Sequence, residues 1–394
     1  MDTVNYGVVG TGMMGQEHLR NLALVPGARV AAILEPDGEQ RRQALAIAPG
    51  ARACASLSEL LAAEELDALV IASPNHLHVG QLEEIAERRP LPLLVEKPLY
   101  TVADDVPRLL AFEAAYPAPV WVAMEYRYMP PIATFLETLD RATGGVRMLT
   151  IREHRFPFLD KVGHWNRFNR TSGGTLVEKC CHFFDLMRLA LRDEPVRVMA
   201  SAGQAVNHLD ERYGEQVPDV WDSAYVIVDF AGGARAMLEL CMFAEGSRYQ
   251  EELSAVGPAG KIEALVPGPS RFWPAELGPA PVPRVVVSPR APKGPQVVES
   301  PVDPTLLEAG DHNGATFYQH VRFNAAVRGA GAVEVGLRDG WSAVAMGLAA
   351  QDSAARGEAV SLGGGAAGPG LTPRRCRAPE RPGGGARRRR APDG

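Results

Sequence analysis

The sequence predicts an α/β protein: an N-terminal Rossmann domain with a doubly wound parallel sheet, then an α+β domain with a mostly antiparallel sheet. Three observations predict it. Within the first fifteen residues an apolar strand runs into the turn Gly10-Thr11-Gly12-Met13-Met14-Gly15, a G-x-G-x-x-G pattern. Apolar strands then alternate with amphipathic helices to about residue 124, as strand-helix-strand units require. Past Tyr126 strand-like runs follow one another through turns, as in an antiparallel sheet.

Taken in order, Gly7-Val8-Val9 is a buried strand and the glycines after it have separate uses. Gly10 permits the tight turn, Gly12 lets backbone approach a pyrophosphate, and Gly15 lets the next helix pack on the strand. The N-terminus of that helix favours an anion through its unpaired N–H groups and its dipole. Val30 to Leu34 reads as the second strand and ends at Glu35, where an acid hydrogen-bonds the ribose diol and repels a 2′-phosphate. The expectation is therefore NAD rather than NADP, although Arg41 and Arg42 lie close in sequence and blur the charge argument.

Leu66 to Ala72 is a further strand that stops at Ser73-Pro74-Asn75, and Leu93-Leu94-Val95 runs into Glu96-Lys97-Pro98. Val120 to Met124 completes the set. Strand ends of a parallel sheet line one crevice, so these loops should meet the glycines. Lys97 by itself reads as a loop ion pair with Glu96. Beside a nicotinamide, a lysine whose pKa is lowered by desolvation and a cationic ring can take a hydroxyl proton.

In the second half Met148 to Glu153, Ala224 to Phe230 and Ala236 to Phe243 read as strands, and Pro267 to Pro304 as a proline-rich insertion wandering over the sheet edge. Leu337 to Arg356 reads as a closing amphipathic helix. Thr175 to Leu191, opened by Gly173-Gly174, reads as one helix apolar nearly all round and hence buried. It carries Glu178, His182 and Asp185 at i, i+4 and i+7. Asp185 reads as an internal hydrogen-bond partner. Glu178 and His182 are expected to face a cleft, with His182 exchanging a proton and Glu178 orienting it or binding a hydroxyl. Trp165-Asn166-Arg167 and Glu125-Tyr126-Arg127-Tyr128 flank them with a polar-aromatic mix suited to hydroxyl-rich ligands.

The bulk composition narrows the partners. With 394 residues, 46% hydrophobic and 22% charged, the chain holds two ordinary globular cores. No apolar run approaches a membrane span, and the chain opens on a strand rather than a signal segment, so a cytoplasmic protein is expected. Five cysteines without C-x-x-C spacing imply reduced thiols and no metal. The net charge of −6 is uneven: residues 363–394 hold eight arginines against Glu380 and Asp393, leaving −12 on the rest. A body that acidic is a poor nucleic-acid binder, and the Gly/Pro/Arg-rich tail is expected to be disordered.

Together these motifs resemble the Gfo/Idh/MocA oxidoreductases, over about residues 4 to 360. The likeness rests on Gly10 to Gly15, Ser73-Pro74-Asn75-His76-Leu77-His78, Glu96-Lys97-Pro98-Leu99, Gly173-Gly174 leading to Glu178 and His182, and Asp339-Gly340-Trp341. It implies domains of about 1–124 (Rossmann) and 125–362 (substrate binding and oligomerisation), a bound NAD or NADP, and hydride transfer at a sugar, cyclitol or polyol hydroxyl. Lys97 then matches the catalytic lysine and His182 the catalytic histidine, with Glu178 beside them. The cofactor would be held by Gly10, Thr11, Gly12, Met13, Met14, Gly15, Glu35, Ser73, Pro74, Asn75, His78, Glu96 and Lys97. The substrate would meet Tyr126, Arg127, Trp165, Arg167, Glu178 and His182. Inositol-dehydrogenase-like members carry Asp where this chain has Glu178, one methylene longer, which counts against inositol itself. The resemblance further implies a homodimer or homotetramer through the open sheet face. Two other readings stay open: a glycoside hydrolase or lyase that keeps its NAD bound and oxidises the sugar transiently, and a cofactor sensor without turnover.

Overall fold

A computed structural model describes residues 3–363, and in it the chain lays down two sheets in sequence. The first contains β1 (Val4–Val9), β2 (Ala28–Leu34), β3 (Arg52–Cys54), β4 (Ala68–Ile71), β5 (Leu93–Val95) and β6 (Val120–Val122). All neighbours are parallel, in the order β3-β2-β1-β4-β5-β6. Helices cover both faces, which is why β4 and β5 are buried along their whole length and read as continuous apolar runs. The strand order reverses between β1 and β4. A crevice therefore opens at the carboxyl ends of those strands.

The second sheet contains β7 (Met148–His154), β8 (Pro195–Gly203), β9 (Ser223–Phe230), β10 (Arg235–Cys241), β11 (Glu251–Val256), β12 (Gly260–Val266), β13 (Arg284–Pro289), β14 (Gln296–Glu299) and β15 (Val360–Ser361). Their order is β14-β13-β12-β11-β7-β10-β9-β8-β15, antiparallel throughout except for β7 beside β10. Alternation sets its two faces: Ala224, Val226 and Val228 point into the core, while Tyr225 and Ile227 stay exposed. Helix Leu337–Arg356 packs on β8 and on helix Cys181–Leu191 behind that inner face.

Three features depart from the sequence reading. The stretch Pro267 to Pro304 contributes β13 and β14 and so widens the sheet; its prolines flank the ladder and leave Arg284 to Val287 free to pair with β12 and β14. The expected helix Thr175 to Leu191 is two helices, Thr175–Glu178 and Cys181–Leu191. Between them Cys180 N–H bonds Thr175 O, one residue too far back for α geometry, and the Glu178 carbonyl faces the site instead of the next turn. Helix Ala315–Val327, which the sequence reading omits, returns to the first domain: Tyr6 Oη donates to Asn324 at 2.9 Å, and His18 Nδ1 lies 2.8 Å from His320 Nε2. Among the described residues no helix is long and apolar enough to cross a membrane, and Cys54, Cys180, Cys181 and Cys241 are free thiols. The arginine-rich tail beyond residue 363 lies outside the described residues.

Candidate active site

The glycine turn behaves as its spacing requires. Gly10 sits at φ +82°, and a Cβ there would be 2.6 Å from the Ser73 backbone. A Cβ on Gly15 would penetrate the Gly10 carbonyl, so this glycine sets how closely helix Met13–Leu24 lies on the turn. Gly12 differs: a Cβ there meets no atom within 4 Å. It opens onto a groove of about 480 Å³ that also touches Met13, Met14, Glu35, Ser73, Pro74 and Asn75. No side chain caps the first turn of the helix. Its leading N–H groups are therefore available to an anion.

Glu35 at the far end of the groove accepts from Thr11 N at 2.6 Å and from Asp37 N at 2.9 Å. Oε2 also takes the Thr11 hydroxyl at 3.3 Å, whereas Oε1 keeps a second lone pair for a ribose hydroxyl. Arg41 donates to the carbonyls of Glu35 and Pro36 and thereby flanks the same end. At the other end lie Glu96, Lys97, Trp165 and Glu178. Trp165 thus walls the groove rather than the adjoining pocket, with Lys161 Nζ 4.2 Å above its ring.

A second cavity, of about 500 Å³, adjoins the groove, and both touch Met13, Met14, Lys97, Lys161 and Glu178. Deeper in it stand Tyr126, Arg155, Lys179, His182 and His312. Tyr126 stacks on the His182 ring at 4.1 Å and 6° and fixes its plane. Lys97 Nζ donates to the Glu178 carbonyl at 3.3 Å, while Lys161 Nζ takes Glu178 Oε1 at 3.0 Å. Glu178 Oε2 is buried without a partner. A hydroxyl-bearing ligand would satisfy it.

Burial, helped by Lys97, Lys179, His312 and Arg155, holds His182 well below the usual imidazole range. It is a neutral base at physiological pH. Burial also works against the charge of Lys97, but Cys181, Glu96, Glu125 and Glu178 outweigh it and hold the ammonium above its ordinary value. The sequence reading expects the opposite direction, because it counts a cationic ring beside Lys97 and not these acids. Lys179 is the lysine drawn down, chiefly by burial, although Glu153 lies 2.8 Å away.

Several expected site residues hold the scaffold instead. Arg127 pairs with buried Asp185, and it also bonds the Glu334 carbonyl and faces Asp339 at 3.5 Å, away from both cavities. Arg167 is bound to Glu211 and Asp160 at 2.8 and 2.6 Å and fastens its own loop. His78 is fully buried, with its ring nitrogens 2.9 and 3.0 Å from the carbonyls of Pro98 and Ser73, so it joins the two strand-end loops. Glu96 reaches the groove but spends Oε1 on His18 at 2.9 Å. Thr11 is wholly buried. Residues outside the sequence reading enter in their place: Lys161, Lys179, Arg155, and the pair Glu17–His312 at 2.8 Å.

Two family profiles match the chain. Residues 4–124 fit the oxidoreductase-family NAD-binding Rossmann fold, and residues 140–362 the C-terminal alpha/beta domain of the same family. The chain belongs to the Gfo/Idh/MocA oxidoreductase family. Among its relatives, inositol 2-dehydrogenase 2 of Saccharopolyspora erythraea is 30% identical over 67% of this chain and 74% of its own. Inositol 2-dehydrogenase of Rhizobium meliloti is 26% identical over 66% and 76%. Levoglucosan dehydrogenase, solved with NADH and levoglucosan, superposes at a TM-score of 0.75 with 19% identity over 91% of this chain and 99% of that one. The groove fits the family's dinucleotide on its own geometry, through the open face at Gly12, the uncapped helix turn and the carboxylate at Glu35.

Proposed function

We propose that the protein is an NAD-dependent dehydrogenase that moves a hydride between a sugar, cyclitol or related polyol hydroxyl and nicotinamide. One observation carries the reading: the groove and the pocket share Lys97 and Glu178, with His182 on the pocket side. Lys97 and Glu178 therefore stand where a substrate in the pocket and a cofactor in the groove would meet. The bound cofactor supplies the hydride acceptor. His182, neutral, takes the hydroxyl proton; Lys97, kept as a cation, holds the oxygen as negative charge develops. Glu178 accepts a neighbouring hydroxyl through Oε2, and Tyr126 keeps the imidazole in plane. The carboxylate of Glu35 at the adenosine end favours NAD over NADP, since it suits a ribose diol and repels a 2′-phosphate.

The domains divide the work at about residue 124, with Lys97 from the first and His182 from the second. The outward face carries exposed Met148, Val256, Tyr225 and Ile227, brought together by the register of β11, β7, β10 and β9. A second copy covering it would give a homodimer or homotetramer, and a monomeric mass by light scattering would refute that.

A screen of cyclitols, aldoses, sugar acids and glycosides with NAD and with NADP at mildly alkaline pH tests the function. Stoichiometric NADH with one class supports it. Glycoside cleavage without net NADH would replace it with a hydrolase or lyase that keeps its cofactor, and tighter NADP binding in a fluorescence titration would overturn the cofactor choice.

A further inference from the structure

Behind the pocket wall lies a carboxyl that this chemistry leaves idle. Glu125 follows β6, is 1% exposed, and neither of its oxygens has a hydrogen-bond partner. A buried carboxyl with no partner requires an explanation, because packing gains nothing from it. Its Oε1 lies 3.6 Å from His182 Nε2 and 3.8 Å from His312 Nε2. His312 is itself anchored, at Nδ1, by Glu17. Glu125 therefore stands between two histidines from distant parts of the chain, just short of hydrogen-bond distance from each.

We propose that Glu125 is a positioning residue for His182, pairing with the imidazolium that forms when His182 takes the substrate proton, while His312 holds the carboxyl from its other side. This rests on the reading of His182 as the proton acceptor. In the oxidation direction the substrate O–H bond breaks as an N–H bond forms on His182. The C–H bonding pair leaves as hydride to the nicotinamide of NAD, which is the oxidant. The new imidazolium then faces Glu125, and the pair closes to a charge-assisted hydrogen bond. In the reverse direction His182 returns the proton.

The electrostatics explain why such a partner is needed. Burial and the cations Lys97, Lys179, His312 and Arg155 all oppose protonation of His182. They keep it ready as a base but would make the protonated product costly. Glu125 is the carboxylate within 4 Å of its ring that offsets them. The groups facing Glu125 are Glu96 and Lys97 from the loop after β5, Cys181 and His182 from helix Cys181–Leu191, and His312 from the segment before helix Ala315–Val327. Burial and Glu96 push its carboxyl up to about 7, against His312 and Lys97. Cys181, pushed up to about 12 mainly by burial, stays a thiol through this range.

The test is the pH profile of kcat for the full-length enzyme saturated with NAD and its best hydroxyl substrate. In wild type kcat rises with pH through about 7, as Glu125 becomes the carboxylate that can pair with imidazolium. Glu125→Gln, nearly isosteric but chargeless, lowers kcat at pH 8 by about tenfold to a hundredfold with little change in KM, and removes that limb. Glu125→Asp restores part of kcat and a limb. A Glu125→Gln enzyme that keeps wild-type kcat, or that loses kcat yet keeps the limb, overturns the proposal. So does ¹³C-glutamate NMR of the wild-type chain in which no carboxyl titrates near 7. Failure of wild type to oxidise any hydroxyl substrate would strike the reading of the reaction instead, and the two results are distinct.

Discussion

Gly12→Ala should separate cofactor binding from folding. The backbone at Gly12 is extended, φ −66° and ψ −159°, and an added methyl meets no atom of the protein within 4 Å. The only stability cost is the weaker helix N-cap preference of alanine, about 1 kcal/mol or less. The same methyl stands in the groove where the first-turn N–H groups would meet a diphosphate. Losing one or two charge-assisted hydrogen bonds, at about 1.5 kcal/mol each, weakens cofactor binding by about tenfold to a hundredfold. Gly15→Ala gives the contrasting control: its methyl would overlap the Gly10 carbonyl, and relieving that clash should cost about 1–3 kcal/mol of stability. Thermal unfolding of the two variants, paired with NADH fluorescence titrations, reads both quantities. If Gly12→Ala binds NADH as wild type does, the diphosphate does not lie on this turn and the assignment of the groove fails.

Lys97→Ala and His182→Ala should each lower kcat by about 10² to 10⁴ with NADH affinity nearly unchanged, and the double variant should fall well short of the product of the two losses. Near-wild-type kcat in Lys97→Ala would refute the mechanism. Glu178→Ala should raise KM, since it removes the unpartnered Oε2 that receives a hydroxyl; an unchanged KM would remove Glu178 from the substrate contacts. Glu17→Gln should destabilise the fold by about 3 kcal/mol by removing the nearer counter-ion of His312, at 2.8 Å, and leaving it only Glu125 at 3.8 Å. His312 is raised to about 9 in the fold, so its share is complete below about 6.5 and fades as pH rises through 9. Glu17 is lowered to about 2, so its share is present above about 4.5 and is lost on acidification through 2. The difference in Tm between wild type and Glu17→Gln should therefore be widest between about pH 4.5 and 6.5 and narrower at pH 9.5. A difference that does not vary with pH would refute the ion-pair argument.

The sequence carries those parts of the site whose chemistry is local. The glycine turn and the strand ends at Ser73 and Glu96 are patterns within a few residues of one another, and the structure brings them to one groove; Glu178 and His182 also line one pocket, although the helix read through both of them breaks in between. Arg127 and Arg167 mislead for the opposite reason. An arginine beside aromatics looks ligand-ready until its acids are found, and Asp185, Glu211 and Asp160 are assigned to them only by tertiary packing. The break at Lys179–Cys180 has no glycine or proline to announce it; in an apolar run the helical pattern continues unbroken. Glu17 and His312 are 295 residues apart, and no periodicity joins them. One local signal was available: Glu17, His18 and Asn21 lie on the buried side of helix Met13–Leu24, and a polar stripe on a buried face needs partners.

The return of helix Ala315–Val327 to the first domain bears on how the chain matures on the ribosome. Domains generally fold as units in the order in which they are synthesised. Here, however, His18 waits for His320, a residue made 302 positions later, and Tyr6 waits for Asn324 across 318. Until helix Ala315–Val327 has been made, Tyr6 Oη, His18 Nδ1 and the Glu17 carboxylate lack partners they have in the fold, so the first domain is completed only by a segment that follows β14 of the second sheet.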